Sequence, residues 1–165
     1  MSKLNAYSTH RQYTIKELSL IGGNSRVLEL GIGLGSSPLM HEYCLKYPNS
    51  VVESFETDKG WFEKIRNEFG GLKNYSFNLL KSWNDLKDYV NDNVYDLAFV
   101  DQAPWMARIE SIDLLKSRCN VFILHDYDFF NKPENPWVAE PCKNIYITDK
   151  TSWLGKKYLK DFNME

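Results

Sequence analysis

Three alternating glycines are the clearest indication of chemistry in this sequence. Gly31, Gly33 and Gly35 directly follow a short apolar segment, RVLEL at 26–30. Glycine adopts backbone angles that side chains forbid, and it lets a ligand come close to the chain. A helix that begins just after such a turn also presents free backbone N–H groups. The pattern therefore predicts either a ligand site at this turn or a plain tight turn between a strand and a helix.

An acidic residue closes the next predicted strand. Glu56 ends VVESFE at 51–56, a position from which a carboxylate can bind both hydroxyls of a ribose. A dinucleotide-binding fold is one candidate for glycines and an acid in this order. Its GxGxxG spacing is not met, because Ser36 and Pro38 stand where glycine would be needed. The spacing therefore disfavours a dinucleotide.

Carboxylates also follow two later predicted strands, which should be neighbours in the sheet. Asp101 closes YDLAFVD, Asp126 follows NVFILH, and Asp128 lies two residues further on. Hard oxygen ligands of this kind suit Mg²⁺ or Ca²⁺, so these three aspartates form a predicted metal set. The alternative is that Asp101 and Asp126 bind an amino group of the ligand, cap loops or orient a neighbouring group.

Histidine supplies the candidate general base. His125 stands beside Asp126, and an unperturbed histidine pKa of about 6.5 suits proton transfer near neutral pH. A histidine at a strand end can equally be a structural hydrogen-bonding group. His10 stands at the start of the first predicted helix, in a segment that can lie across a pocket of this type. His41 lies within a predicted helix and is assigned to the scaffold.

The elements that must position these residues alternate between strands and helices. Apolar segments bounded by turn residues predict strands at 26–30, 51–56, 75–78, 95–101 and 120–125. Helices are predicted before and between them, at 9–20, 36–47, 58–69, 82–90 and 105–116, with Ser36 and Asp58 as caps of two of them. This order implies right-handed βαβ units and a parallel sheet.

Two late strands are predicted at 144–148 and 152–158, without a full helix between them. At least one of them should therefore run antiparallel to the others. The predicted architecture is α/β, with a mostly parallel seven-stranded sheet and an antiparallel C-terminal strand. In such sheets ligands bind at the carboxyl ends of the strands, near the point where the strand order reverses.

Composition limits the class of protein further. The 165 residues suit one domain, and 43% apolar with 25% charged residues excludes wholesale disorder. A net charge of −2 argues against a nucleic acid as the main partner. No apolar segment approaches the ~20 residues of a membrane span, and no signal-peptide core is present. Three scattered cysteines indicate a reducing compartment, so a cytoplasmic protein without a membrane partner is expected.

The glycine turn, written as Glu29-x-Gly31-x-Gly33-x-Gly35, resembles the first motif of the class I S-adenosylmethionine-dependent methyltransferases. The resemblance extends through almost the whole chain. The HDY sequence after NVFIL is similar to the LLHDY strand end of small O-methyltransferase-like domains. The resemblance implies a Rossmann-like sandwich in a single S-adenosylmethionine-binding domain over 1–165, with an N-terminal helix segment at 1–24 and a core at 25–165.

The resemblance also implies a set of site residues. Glu56 would hold the cofactor ribose, and the pair Ser82 and Trp83 would contact the adenine. The catalytic candidates are Asp101, His125 and Asp126. Mg²⁺ is an optional second cofactor, as in the catechol-type O-methyltransferases, although Tyr127 stands where those enzymes have an asparagine. The implied cofactor-binding residues are Glu29, Gly31, Gly33, Gly35, Ser36, Glu56, Thr57, Ser82, Trp83 and Asp101.

The implied function is the transfer of a methyl group from S-adenosylmethionine to a hydroxyl of a small molecule or a sugar. Such an acceptor is the expected partner, and nucleic acid is disfavoured. A homo-oligomer is left open, since a second subunit could complete the acceptor site. Two alternatives also stay open. One is an enzyme that breaks down S-adenosylmethionine by hydrolysis or elimination, and the other is a non-catalytic S-adenosylmethionine-binding or assembly subunit.

Overall fold

One parallel sheet organises the fold. The computed structural model of the protein describes residues 10–126 and the strand at 145–148. The strands are β1 (Arg26–Leu30), β2 (Val51–Glu56), β3 (Tyr75–Leu79), β4 (Tyr95–Val100), β5 (Cys119–His125) and β6 (Ile145–Thr148). They lie in the order β3-β2-β1-β4-β5-β6, and each neighbouring pair is parallel.

Helices connect these strands, as the alternating pattern predicts. They are α1 (Arg11–Ile21), α2 (Ser37–Lys46), α3 (Lys59–Phe69), α4 (Leu86–Val90) and α5 (Met106–Leu115), with a 3₁₀ turn at Trp83–Asp85 before α4. Asp58 begins α3 as predicted, because its Oδ1 accepts a hydrogen bond of 2.7 Å from the backbone N–H of Trp61. Ser36 precedes α2, but its side chain makes no capping hydrogen bond, so that detail of the prediction was wrong.

The helices cover both faces of the sheet, which is why its central strands are almost wholly apolar. On one face, α1 and α2 bury Leu18, Met40 and Tyr43 against β1, β4 and β5. On the other, α4 and α5 bury Leu86 and Leu115 against the same strands. This three-layer packing fixes the strand ends, and therefore the loops that follow β1, β2, β4 and β5.

The direction of β6 differs from the prediction, and the predicted seventh strand is not among the described residues. The described residues form six strands, all parallel, and β6 runs parallel to β5. The strand predicted at 144–148 is thus present but is not antiparallel. The seventh strand, predicted at 152–158 as the antiparallel one, lies outside the described residues.

The helix α5 buries a charged residue beside its apolar ones. Its inner face carries Arg108, Ser111, Ile112 and Leu115, whereas Ile109 is only partly buried. A buried arginine therefore points from this helix toward the carboxyl edge of the sheet. Within the described part of the chain, no helix is long and apolar enough to cross a membrane.

Candidate functional site

The strand order reverses between β1 and β4, and the glycine turn lies at this point. Gly31 directly follows β1 with a φ of +83°. A β-carbon there would lie 2.6 Å from the carbonyl carbon of Asp101, the residue after β4. The backbone N–H of Asp101 in turn donates to the Leu30 carbonyl at 2.7 Å. The two loops are therefore packed backbone to backbone, and only glycine fits at position 31.

A cavity of about 550 Å³ opens at this edge of the sheet. It is bounded by the glycine turn, the start of α1, the start of α3 and the ends of β4 and β5. Its lining residues are His10, Arg11, Ile32, Gly33, Leu34, Gly35, Ser36, Trp61, Asp101 and His125. The cavity is thus at the position where parallel α/β sheets bind their ligands.

Gly33 differs from Gly31 in what surrounds it. A β-carbon on Gly33 would meet no heavy atom closer than the Gly35 nitrogen at 4.0 Å. The protein's own packing therefore does not require glycine at this cavity-lining position. A ligand that lies against the backbone here would require it, and this observation fits a bound cofactor.

Glu29 lies beneath the glycine turn rather than in the cavity. Its carboxyl group is fully buried and accepts hydrogen bonds from the hydroxyls of Ser37 (2.9 Å), Tyr75 (2.9 Å) and Ser54. The Ser37 hydroxyl also accepts from the backbone N–H of Gly33 at 3.1 Å. Burial raises the pKa of Glu29, and the surrounding hydroxyls oppose that rise. Glu29 therefore supports the turn through Ser37.

Glu56 ends β2 beside the cavity. Its Oε1 accepts from the backbone N–H groups of Thr57 (2.7 Å) and Asp58 (3.0 Å), and its Oε2 accepts from that of cavity-lining Ile32 (3.3 Å). These bonds hold the carboxylate between the second strand and the glycine turn. Trp61, which also lines the cavity, donates from its Nε1 to the Ile32 carbonyl at 2.6 Å.

A charged cluster closes the other end of the cavity, where β4 and β5 end side by side. His125 Nδ1 lies 3.0 Å from Asp101 Oδ1 and 3.2 Å from Asp126 Oδ2. The Arg108 guanidinium lies 2.9 Å from the same Asp101 oxygen and 3.9 Å from Asp126 Oδ2. The predicted catalytic residues Asp101, His125 and Asp126 are therefore brought together around a fourth group, Arg108.

Sequence reasoning missed Arg108. Its side chain is 5% exposed, and it reaches the strand ends from the inner face of α5. The sequence did contain an indication of this position. Helical spacing places Arg108 on the same face of the helix as Ile112 and Leu115. Basic residues are almost never fully buried unless they are paired, so an arginine at a core-facing position indicates a buried carboxylate partner.

The cluster changes the protonation of its members. Burial by itself would lower the pKa of His125, but the hydrogen bonds and charges of Asp101 and Asp126 raise this pKa to about 9. Burial by itself would raise the pKa of Asp126, yet His125 and Arg108 lower it. At neutral pH the cluster therefore holds an imidazolium and a guanidinium between two carboxylates.

His10 lines the cavity beside this cluster, as its position before the first helix suggested. Its ring packs edge-on to His125, with the ring centroids 4.9 Å apart, and against Phe99 at 4.7 Å. Burial, with the nearby charge of His125, lowers the pKa of His10 to about 4. Neither ring nitrogen makes a hydrogen bond of normal geometry to a described residue. A neutral imidazole thus faces a charged one.

Other predicted cofactor residues lie at varying distances from the cavity. Ser36 lines it, whereas Glu56 and Thr57 are not lining residues and are linked to it through the bond of Glu56 to Ile32. Ser82 is the cap of the 3₁₀ turn and accepts from the N–H of Asn84. Trp83 is buried in the core, and its Nε1 donates to the Ala103 carbonyl at 2.8 Å. Neither Ser82 nor Trp83 is a lining residue of the cavity.

The strand-end carboxylates do not fit a magnesium ion. The nearest donor set is Asp101, His125 and Asp126, whose ligand atoms all lie within 4.8 Å of one another. Magnesium prefers oxygen ligands, whereas one donor of this set is the His125 Nδ1 nitrogen, which lies 3.0 Å from Asp101 Oδ1 and 3.2 Å from Asp126 Oδ2. The Arg108 guanidinium also contacts Asp101 Oδ1, at 2.9 Å. Asp128, the third residue of the predicted metal set, lies outside the described residues.

Neither the family models nor the curated proteins include a match to this sequence. Solved structures do match it. Precorrin-6y C5,15-methyltransferase from Geobacter metallireducens GS-15 superimposes with a TM-score of 0.52 at 20% identity, over 75% of this chain and 65% of that one. An rRNA methylase from Streptococcus thermophilus superimposes with a TM-score of 0.55 at 16% identity, over 72% and 73% of the two chains.

These structural matches define the fold. The chain has the Rossmann-like α/β fold of the class I methyltransferases, which the glycine motif resembled. The two matched proteins carry different acceptors in their names, a precorrin and a ribosomal RNA. The fold is therefore common to them while the acceptor is not.

Proposed function

We propose that this protein binds S-adenosylmethionine in the cavity and transfers its methyl group to a hydroxyl of a small molecule or a sugar. The observation that carries the proposal is the cavity-lining Gly33, whose missing side chain the protein's own packing does not require. It stands in a class I methyltransferase fold, at the point where the strand order reverses.

The proposed cofactor contacts follow the strand ends. The backbone from Gly31 to Ser36 and the N-terminus of α2 would lie against the polar end of the cofactor. Glu56 would accept hydrogen bonds from the ribose hydroxyls; this is supported by the bond of its carboxylate to the backbone N–H of cavity-lining Ile32. Ser82, at the exposed turn after β3, keeps its predicted contact with the adenine, and Trp83 would support that turn from below.

The proposed chemistry uses few protein groups. Bound S-adenosylmethionine supplies an electrophilic methyl group, so the protein mainly has to align the acceptor with it. Asp101 lines the cavity, and among the described residues only its Oδ1 has hydrogen-bond partners. Its Oδ2 is therefore available to accept a hydrogen bond from the acceptor. His125 and Arg108 fix the orientation of Asp101, and Asp126 in turn contacts His125.

His125 is also the proposed base, and its environment sets the pH at which it can act. Its bonds to the two aspartates raise the pKa of His125 to about 9 against the effect of burial. The imidazole can accept a proton from an acceptor hydroxyl only after losing its own. We therefore expect kcat/KM to increase with pH up to about pH 9 if His125 is the base, and His125→Gln to remove this dependence.

No metal enters the proposal, because Arg108 and His125 already contact Asp101 Oδ1, and His125 contacts Asp126 as well. The acceptor class rests on the sequence resemblance and on the net charge of −2, which gives little general attraction to a phosphate backbone. Because one structural match is named an rRNA methylase, the acceptor screen must contain RNA as well as phenols, sugars and hydroxy acids.

Ligand-dependent unfolding is the first experiment. S-adenosylmethionine and S-adenosylhomocysteine at ~100 times their dissociation constants should each add about 2.7 kcal/mol to the free energy of unfolding. For a domain of this size the melting temperature should increase by roughly 5–10 °C. NAD is the control and should have no effect. No shift with either sulfur ligand at saturation would refute the proposal.

Transfer itself is then followed with methyl-labelled S-adenosylmethionine. Label on an added hydroxyl compound supports the proposal, and label on RNA would replace the acceptor class. Breakdown of the cofactor at the same rate without any acceptor would indicate a hydrolase or lyase. Binding without turnover in the full screen would indicate a non-catalytic subunit.

A further inference from the structure

The guanidinium of Arg108 contacts two backbone carbonyls, a carboxylate and an aromatic ring. Its Nε donates to the Gln102 carbonyl at 2.8 Å, and Nη1 donates to the His125 carbonyl at 2.5 Å. Its Nη2 contacts Asp101 Oδ1 at 2.9 Å, and the Trp105 ring lies 4.4 Å from the guanidinium carbon. The three nitrogens thus bind the last residue of β5 and the loop that follows β4.

From these contacts we propose that Arg108 is the permanent counter-cation of Asp101 and Asp126. It occupies the place that a divalent cation would need, and it positions Asp101 at the cavity. The pairing of Arg108 with the two carboxylates does not depend on which reaction the protein catalyses. The consequence that methyl transfer by this chain needs no metal rests on the proposed function.

Arg108 and a divalent cation compete for the two carboxylate oxygens that face His125. An ion that bridged Asp101 Oδ1 and Asp126 Oδ2 would bind oxygens that are already 2.9 Å and 3.9 Å from Arg108 nitrogens. It would then be only a few ångströms from a buried positive charge, and its repulsion would be weakly screened there. It would also have to displace His125 from both carboxylates.

Burial makes the arginine a fixed part of the site rather than a surface partner. Asp101 and Asp126 side chains are 29% and 37% exposed, but the Arg108 side chain is 5% exposed and cannot leave without opening α5. Burial lowers the pKa of Arg108, and the two aspartates oppose that change. A planar guanidinium matches two carbonyls and a carboxylate at once, which the point charge of a lysine cannot do.

Manganese binding, followed by electron paramagnetic resonance on the full chain, tests the proposal directly. The wild-type protein should bind no stoichiometric Mn²⁺ at millimolar concentration, and EDTA should not change its affinity for S-adenosylhomocysteine. Arg108→Met removes the cation while keeping an apolar side chain, so Mn²⁺ should then bind at least about tenfold more tightly. Adding Asp101→Asn to that variant should abolish the new binding.

Two further variants keep the test decisive. Arg108→Lys retains a positive charge and should still exclude Mn²⁺, even if Arg108→Met proves too unstable to purify. Arg66→Met, on α3 away from the cluster, is the matched control and should behave as the wild type.

Stoichiometric Mn²⁺ binding by the wild-type protein that Asp101→Asn removes would overturn the proposal. A folded Arg108→Met variant that still excludes Mn²⁺ would overturn it as well. Failure of the protein to bind S-adenosylhomocysteine would instead count against the proposed function and leave the Mn²⁺ results interpretable.

Discussion

Gly31 and Asp101 are in backbone contact across the point where the strand order reverses. A β-carbon on Gly31 would lie 2.6 Å from the Asp101 carbonyl carbon and 2.9 Å from the Gln102 nitrogen. This contact joins the turn proposed to hold the cofactor to the residue proposed to meet the acceptor. One backbone contact therefore positions the glycine turn and Asp101 relative to each other, and a substitution in either should also displace the other.

Gly31→Ala should destabilise the protein by more than ~2 kcal/mol, because the strain of a positive φ adds to a backbone collision. Urea unfolding measures the loss. Gly71→Ala is the matched control, since Gly71 has a φ of +99° but open space around it. That variant should lose only about 1–2 kcal/mol. An equal loss of unfolding free energy in the two variants would show that the contact with Asp101 does not contribute to stability.

Glu56→Ala should weaken S-adenosylmethionine binding by about ten- to a hundredfold, the usual cost of losing hydrogen bonds to a charged group. Isothermal titration calorimetry measures the affinity. Glu53→Gln is the control on the same strand, because Glu53 pairs with Arg26 instead of the glycine turn. Unchanged affinity in Glu56→Ala would refute the ribose contact.

Stability should depend on pH through two histidines with opposite signs. Bonds to Asp101 and Asp126 overcome burial and raise the pKa of His125 to about 9, so the folded state keeps this proton longer than the unfolded chain. The stabilisation is complete below pH 6.5 and is lost as the pH rises to about 9. Its size is on the order of 3 kcal/mol.

His10 contributes on the acidic side. Burial and the charge of His125 lower the pKa of His10 to about 4, so stability decreases as the pH falls from 6.5 toward that value. Urea unfolding between pH 5 and 9 should therefore give a maximum near pH 6.5. His125→Gln should flatten the alkaline side and His10→Phe the acidic side, while His41→Gln, away from the cluster, should keep both. A wild-type profile without the alkaline decrease would contradict the assignment of His125.

The buried carboxyl of Glu29 should tolerate loss of charge but not loss of its oxygens. Glu29→Gln keeps a group that can bond Ser37, Ser54 and Tyr75, and burial already raises the pKa of Glu29. Glu29→Ala leaves those hydroxyls unpaired and should cost roughly 2–4 kcal/mol. Thermal unfolding compares the two. Equal destabilisation by both variants would indicate that the charge of Glu29, rather than its hydrogen bonding, supports the turn.

Local patterns accounted for most of the fold. The apolar runs at β1, β4 and β5 and the cap at Asp58 depend on neighbouring residues, and each appears near its predicted position. Ser36 was expected to cap α2 because of its residue type. The predicted cap was wrong because the hydrogen bonds of this turn depend on a distant residue. Ser37 accepts from the Gly33 N–H and donates to the buried Glu29.

Arg108 shows why local pattern does not place every side chain of a helix. An unpaired guanidinium is costly to bury, so residue type alone favours an arginine at the surface. Asp101 and Asp126 remove that cost, but they are brought to Arg108 only by the pairing of β4 with β5. The residues near Arg108 in the sequence give no information about that pairing of distant strands.

The alternation of strands and helices, the glycine turn and the acids at the strand ends follow from residue type and local spacing. Which of those acids meet, and with what charge, depends on how the strands pair. The Asp101–His125–Asp126 cluster is neutralised by Arg108, and His125 is charged while His10 is neutral. Electrostatic balance depends on distances of a few ångströms between distant parts of the chain, so it arises only when the sheet is assembled.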